Sequence, residues 1–551
     1  MLATTAMGIL YSLCAAISVT YFRLIMLVTH LYYCIYDAHS FLYQRSRYVL
    51  SCGMHSGVAS LILKVATRVT IDDLPEDVLL DTFDAYRRLF KLSPNYENTW
   101  NSRYGWFKLT HVCRSWRRLV HLSPSRLQVH LLFTPRRSSR ETLLKSLPPL
   151  PILIDYCAES WNEKQERFIL AAIRQRSRVR EIGLQRADVD MPKLVRALSC
   201  GHPFPELEGL RILSSYLSDQ GLIFPSTFLS GSVSCLQRLT LQDVEPRCLS
   251  PLLSSTTGLV ELSLTFRASD SALPEASLIS NLQCMANLRR LELRPRPQHH
   301  TTTSDGPRLP SGSGNVVPLP KLMQFVFVGP TIYLEALVVV LAAPSLQHLD
   351  AKLYGVVNGF PIHHLCRFIC DTDNQFISVR LYFTHSRLKM IAETRSKSDH
   401  AQLFKISIYN PTDMSLVEIC HRLSKPLTTV EEVVIEQDVA GGPWFTDPLQ
   451  WYRFFSYIQQ VKLVRVPSQV AVEVARAFQL DGQEPTMDLL PVLEQVEVDM
   501  IYPPLFEANH NGEFACARDA FEPLTAARKQ VGRPITLSFS VRRAPSRRLA
   551  G

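Results

Sequence analysis

The sequence predicts an α/β protein: a short helical module, then a long irregular solenoid with a parallel sheet on its concave side and helices outside. Three observations predict it. Two amphipathic helical stretches lie within residues 67–135. A short apolar triple then recurs twelve times between Val179 and Val498. Helical runs separate many of the triples, and strand, helix, strand in tandem builds a parallel sheet with helices on one side.

The length of 551 residues exceeds one ordinary core and suits several domains or one elongated array. With 46% hydrophobic and 20% charged residues, most of the chain should fold. The formal charge of +9 is a mild excess for this length. Without a concentrated basic patch it gives no reason to expect nucleic acid. The 13 cysteines are scattered from Cys14 to Cys516 with no C-x-x-C spacing. That argues against a disulfide framework and for a reducing cytoplasmic or nuclear setting.

Four regions separate by composition. Residues 1–66 are apolar and aromatic, 67–135 form the helical module, 136–500 carry the triples, and 501–551 read as a frayed tail. Leu2–Phe22 carries no charge and is long enough to span a membrane as a helix. Arg23, Arg45 and Arg47 on its C-terminal side would leave the remainder in the cytosol. The alternative is a mistaken start upstream of the true domain. A secretory signal fits poorly, because no basic stretch precedes the apolar run. Residues 295–318, rich in Pro, Gly, Ser and Thr, read as a disordered insert in the array.

In the module, Asp73 is a good N-cap for a helix, with Glu76 placed to reach back and Pro75 in the first turn. Leu74, Val78 and Ala85 share one side, and Leu79, Phe83, Tyr86 and Phe90 another. A second helical run follows from Trp106 to Pro124, with Leu109, Val112, Cys113, Trp116, Leu119 and Val120 at spacings of three and four. Apolar over so wide an arc, the first helix needs cover on two sides.

"LPEDVLLDTF" followed some thirty residues later by "LTHVCRSWRRLV" resembles the F-box. The resemblance covers residue 72 to about 120, with a longer middle loop, Leu92 to Gly105, than the family pattern. It implies a helical module that binds a Skp1-type adaptor and, through it, a cullin. The implied adaptor-facing residues are Leu74, Pro75, Val78, Leu79, Val112, Cys113 and Trp116. The competing reading is that these side chains only fill a small helical core.

The triples have the form apolar, two residues, apolar, one residue, apolar, starting at intervals of 23 to 35 residues. They are Val179-Ile182-Leu184, Leu207-Leu210-Ile212, Leu236-Leu239-Leu241, Leu259-Leu262-Leu264, Leu288-Leu291-Leu293, Leu322-Phe325-Phe327, Leu346-Leu349-Ala351, Phe376-Val379-Leu381, Leu403-Ile406-Ile408, Val430-Val433-Ile435, Ile458-Val461-Leu463 and Leu493-Val496-Val498. One triple is common by chance, so the spacing carries the inference: a leucine-rich repeat has a period of about 20–29 residues. Helical runs such as "EALVVVLAAP" and "SLVEICHRLS" fall between strands. The Asn or Cys expected after each strand is mostly missing, so the array should be irregular. The stretch 464–498 resembles the closing part of large fungal, including basidiomycete, F-box families.

No G-x-S-x-G elbow, phosphate-cradling Gly-rich loop or H-E-x-x-H helix is present. No enzyme activity, cofactor or catalytic residue is therefore expected. His363, His364, Cys366 and Cys370, with Asp371 and Asp373, fit no common zinc spacing and read as core cysteines beside surface histidines. Arg174, Arg176, Arg178 and Arg180, like Arg136, Arg137 and Arg140, read as solvated faces.

The expected function is substrate recognition in a Skp1–cullin–F-box ubiquitin ligase, with an unidentified target protein on the repeat array. Gln237, Arg238, Glu261, Arg289 and Arg290 are guesses at target contacts. The alternative is an interaction scaffold, built on the leucine-rich-repeat solenoid, that has no ligase role.

Overall fold

The computed structural model describes residues 74–91, 109–123 and 131–133, and most of 150–297, 316–437 and 447–543. It divides into two compact units, Met1–Leu127 and Gln128–Gly551.

The first unit contains helices α1 (Glu76–Lys91) and α2 (Arg114–Leu122). Helix α1 opens with the amide of Leu79 donating to the carbonyl of Pro75, so it starts later than an Asp73 cap implies. Asp73 itself lies outside the described residues. The second run is also not one helix. A turn at Thr110–Val112 interrupts it, and Cys113, in extended backbone, caps α2 by accepting from the Trp116 amide through Sγ at 3.4 Å. The Arg117 guanidinium holds the turn by donating to the Thr110 carbonyl at 2.8 Å. Leu79, Leu80, Phe83, Leu109, Leu119 and Val120 are buried. Phe83 and Trp116, with ring centroids 4.6 Å apart, join the two helices.

The second unit is mixed α/β, built on a 16-stranded, mostly parallel sheet. Its first strands are β1 (Leu131–Phe133), β2 (Ile152–Cys157), β3 (Val179–Gln185), β4 (Gly209–Leu213) and β5 (Arg238–Val244). Then come β6 (Glu261–Ala268), β7 (Arg290–Pro297), β9 (Gln324–Pro330) and β11 (His348–Tyr354), each parallel to the one before. Between β7 and β11, β8 (Val317–Pro318) and β10 (Leu341–Ala342) form a separate two-stranded sheet. This arrangement is consistent with a leucine-rich-repeat-like solenoid.

The register explains the apolar triples. Ile154, Ile182, Leu210, Leu239, Leu262 and Leu291 stand opposite one another across six strands, and the row continues through Phe325 and Leu349. All are essentially inaccessible. Strand side chains alternate between faces, so the other face stays partly exposed; β9 and β11 show strict alternation. Between the strands run the helices α3 (Glu163–Ile173), α4 (Met191–Ser199), α5 (Leu249–Ser254), α6 (Glu275–Gln283), α7 (Thr331–Val340), α8 (His363–Cys370), α9 (Leu416–Arg422), α10 (Ser424–Leu427), α11 (Pro448–Ser456) and α12 (Ser468–Ala477), and helices cover the apolar face. Phe325 meets Phe368 of α8 edge-on, and Phe327 stacks on Tyr333 of α7.

The array departs from a simple tandem after β11. Strands β12 (Phe376–Thr384), β13 (Arg387–Thr394) and β14 (Gln402–Tyr409) form an antiparallel meander, and the spatial order is β11-β14-β13-β12-β15. The chain crosses the gap, then folds back to meet β11. β13 was not anticipated. Its signal is the period-two sequence "RLKMIAET", whose Leu388, Met390 and Ala392 are buried, in place of a helical run. The meander also changes the β14 motif. Phe404, Ile406 and Ile408 point inward, whereas Leu403 lies half-buried on the opposite face. Ala392 and Phe404 carry the apolar row across to Val379.

From there β15 (Glu432–Gln437), β16 (Leu463–Pro467) and β17 (Gln495–Tyr502) resume parallel pairing, through Val433, Val464 and Val496. In β16 the buried triple is Val461-Val464-Val466, three residues beyond the expected one, because Leu463 faces the other way. Two boundaries also shift. The sheet begins at Leu131, inside the stretch assigned to the helical module. It extends past residue 500, because α13 (Asn511–Gln530) leads to β18 (Thr536–Arg543), which pairs with β17 along its whole length. Of the expected disordered insert, Pro295 is buried in β7 and Val317 in β8, while 298–315 lie outside the described residues.

Arg528 of α13 anchors this last repeat. It is 1% exposed and donates to the carbonyls of Leu489, Leu490 and Pro491 at 2.8, 2.9 and 3.3 Å. Leu490 has a φ of 53°, a left-handed conformation that L residues avoid. An Arg528→Met substitution leaves those buried carbonyls without their donor. Urea unfolding should show a loss of about 1–3 kcal/mol.

Candidate functional site

The seven residues implied as adaptor-facing divide by burial. Leu79 is 5% exposed and belongs to the core of its own unit. Trp116 is half-buried against Phe83, and Cys113 is engaged as the cap of α2. Leu74 is half-buried and Pro75 exposed. Val78 and Val112 are 42% and 59% exposed, so both put a branched apolar side chain into solvent. Leu122, at the end of α2, is 69% exposed and was missed. The helical spacing flagged Val112 as apolar, but only the turn before Cys113 turns it outward.

Among the described residues, Glu335, His363 and His364 bring possible metal-ligand atoms within 4.8 Å of one another. Their geometry is that of a helix cap. Both oxygens of the buried Glu335 accept amides opening α8, from His364 and Leu365 at 2.9 Å. A helix N-terminus carries positive potential and disfavours a cation. Burial raises the Glu335 pKa, and these amides and His363 only partly oppose it. Cys366 is buried and its thiol pKa is pushed up by burial. Asp373 lies outside the described residues.

The Arg174–Arg180 cluster has internal work. Arg176 donates to the Ala197 carbonyl at 2.7 Å and lies over the Phe204 ring. Arg178 donates to the Leu150 carbonyl at 3.1 Å, and Arg180 lies near Glu206 and Glu208. Arg136, Arg137 and Arg140 lie outside the described residues.

The open sheet face carries ion pairs in register. Asp155, Gly183 and Arg211 align across β2, β3 and β4, and Arg211 reaches Asp155 at 3.3 Å over the glycine. Glu181, Gly209 and Arg238 repeat the device one strand on. A side chain at either glycine would occupy the space these pairs cross. Farther along, Lys405 meets Asp350 at 3.0 Å, and Arg465 bridges Glu432 and Glu497.

Between these pairs the face opens into a cavity of about 460 Å³. Its floor comes from β5, β6 and β7, with Thr240, Gln242, Ser263 and Thr265 beside Arg290, Glu292 and Arg294. The chain creates the opening by ending the β7–β9 ladder at Leu293 and Phe327. Pro295 then has no N–H to give. Gly329 lets β9 pass it, since a Cβ there would lie 2.6 Å from the Pro295 ring. Tyr354 of β11 props the wall by donating its hydroxyl to the Pro295 carbonyl at 2.7 Å, and burial pushes its pKa up to about 12. Of the guessed target contacts, Glu261 and Arg290 line this cavity. Arg238 is held by Glu181, and Gln237 and Arg289 are exposed elsewhere.

Among the described residues no helix is long and apolar enough to cross a membrane; Leu2–Phe22 lies outside them. No protein-family model matches the chain, and no curated protein does. Among solved structures it is similar to the crystal structure of the leucine-rich repeat-containing protein LegL7 from Legionella pneumophila. The identity is 10% and the TM-score 0.23, over 72% of this chain and 98% of that one.

Because Glu335 serves as a cap, Glu335→Ala should lower unfolding free energy by about 1–3 kcal/mol, and Glu335→Gln by less. Its raised pKa means that folding favours the protonated carboxyl. Stability should therefore fall as pH rises from the ordinary carboxylate range through the folded-state value. That slope should flatten in Glu335→Gln, measured by chemical denaturation across pH.

Proposed function

We propose that the chain is a non-catalytic substrate-recognition subunit of a Skp1–cullin–F-box ubiquitin ligase. The helical unit docks the Skp1-type adaptor, and the sheet face of the solenoid holds the target protein. The F-box-like sequence over residues 72–120 motivates the reading. The observation that carries it is the outward placement of Val78 on α1 and of Val112 in the turn before α2, two helices that, among the described residues, bury Leu79, Phe83, Leu119 and Val120 instead. Exposed aliphatic side chains at adjoining helices favour cover by another protein, each worth roughly 1.5–3 kcal/mol when fully buried. The chain contributes position rather than chemistry: holding a target beside a ubiquitin donor raises the effective concentration of its lysines.

Val78→Asp and Val112→Asp test the reading well, because both sites are exposed and the core residues stay in place. Trp116→Ala would be a poorer test, since Trp116 packs on Phe83 and its loss would mix unfolding with lost docking. Purified full-length chain should capture recombinant Skp1, and the double variant should lose capture by about a hundredfold or more while its far-ultraviolet circular dichroism is unchanged. Wild-type chain that folds and never captures Skp1 would remove the ligase role and leave an interaction scaffold built on the solenoid.

A further inference from the structure

We infer that the cavity on the open sheet face receives an anionic side chain from a segment of the target protein, seated at Arg294 beside Thr265 and Gln242. This rests on reading the solenoid as the target-binding half; it does not depend on adaptor docking.

The charges at the cavity are layered. Glu292 and Asp243 have side chains only 11% and 5% exposed, whereas those of Arg294, Arg290 and Arg296 are 47%, 45% and 31% exposed. The carboxylates therefore lie underneath and the guanidinium groups face the opening. Glu292 accepts from Arg294 at 2.6 Å and from Arg290 at 3.4 Å, and Asp243 holds Arg296 at 3.0 Å. Such anchors fix the guanidinium planes before any ligand arrives. A guanidinium has five N–H donors, and Glu292 engages Arg294 through one carboxylate oxygen on the Nε and Nη2 edge. The rest of the fork can grip an oxyanion in bidentate fashion.

The lining also gives the cavity a direction. Glu261 stands opposite Arg290 at one end and is exposed there, so it repels an anion and neutralises that arginine. Gln242, Thr265 and Arg294 share one row at the other end, where neutral donors flank the guanidinium. An acidic group is thus directed to the Arg294 end. Among the described residues Tyr354 is the one aromatic residue lining the cavity, and its hydroxyl is engaged with Pro295. The described lining therefore offers no row of free aromatic faces of the kind on which a nucleic-acid strand stacks. A volume near 460 Å³ suits a short run of side chains.

The anion could be an Asp or Glu carboxylate or a phosphorylated hydroxyl; both present the oxygens that the fork recognises. The test uses fluorescence anisotropy of the full-length chain with three labelled peptides: hexaglutamate, hexaglutamine, and a phosphoserine peptide of equal length. Hexaglutamate should bind and hexaglutamine should not. Arg294→Gln should weaken hexaglutamate binding about tenfold or more. Thr265→Glu, which puts a carboxylate of the chain's own into the seat, should do the same without removing a partner of Glu292. Arg211→Gln, outside the cavity on the same face, should leave affinity unchanged. So should Val112→Asp, whatever it does to Skp1 capture, which separates failure here from failure of the adaptor reading. A phosphoserine peptide binding more tightly than hexaglutamate would assign the anion as phosphate, and equal or weaker binding would assign it as carboxylate. Equal affinity for hexaglutamine, no binding of either anionic peptide, or indifference to both Arg294→Gln and Thr265→Glu would overturn the inference.

Discussion

The structure of the second unit depends on one continuous row of buried apolar side chains, held in register from β2 to β17. Each strand contributes one residue to it, such as Ile182, Leu239, Leu291, Phe325, Val379 or Val464. No single repeat could bury its own triple, because a strand and a short helix enclose too little volume. The row solves this by sharing: each side chain is covered by its two neighbours and by the helices behind. Parallel pairing then fixes everything else, since a slip by one residue would exchange the two faces of a strand.

The same register arranges the polar face. Residues that alternate with the buried row are brought side by side, which is why Asp155 meets Arg211 across Gly183, and Glu181 meets Arg238 across Gly209. Exposed pairs of this kind contribute little stability, about 0–1 kcal/mol each. Their effect is to hold side chains in place over a surface with no regular chemistry of its own. Where β7 meets two prolines and β9 supplies Gly329, the ladder opens and the face becomes concave enough to enclose a ligand. The fold thus separates two tasks: the buried row gives rigidity, and local breaks in pairing give recognition.

Much of this was legible in the sequence because the triple repeats with a nearly constant interval. Strands β3 to β7, β9 and β11 sit where their triples place them, and Leu207, Leu236, Leu259 and Leu288 begin theirs as expected, whereas β8 and β10 carry no triple and fall in the expected insert and in an expected helical run. The failures have physical causes. Ile458-Val461-Leu463 and Val461-Val464-Val466 both satisfy the pattern, and only pairing with β15 decides between them. Leu403 and Phe404 are adjacent apolar residues, so spacing alone could not tell which faces inward. The reversal of strand order at the meander leaves no mark except that a period of two replaces a period near 3.6 between Arg387 and Thr394. The cavity was visible only in fragments. Glu261 and Arg290 could be picked out as exposed, but Gln242, Arg294 and Tyr354 come together through register across β5, β7 and β11.

Amide hydrogen exchange resolved by mass spectrometry tests the shared row most directly. If the row holds the solenoid together, peptides from β6, β7, β9 and β11 should be the slowest to exchange, and those from β1 and β18, each paired along one edge among the described residues, the fastest. Exchange in β6–β11 as rapid as at β1 and β18 would contradict the account, because the interior strands would then gain nothing from neighbours on both sides.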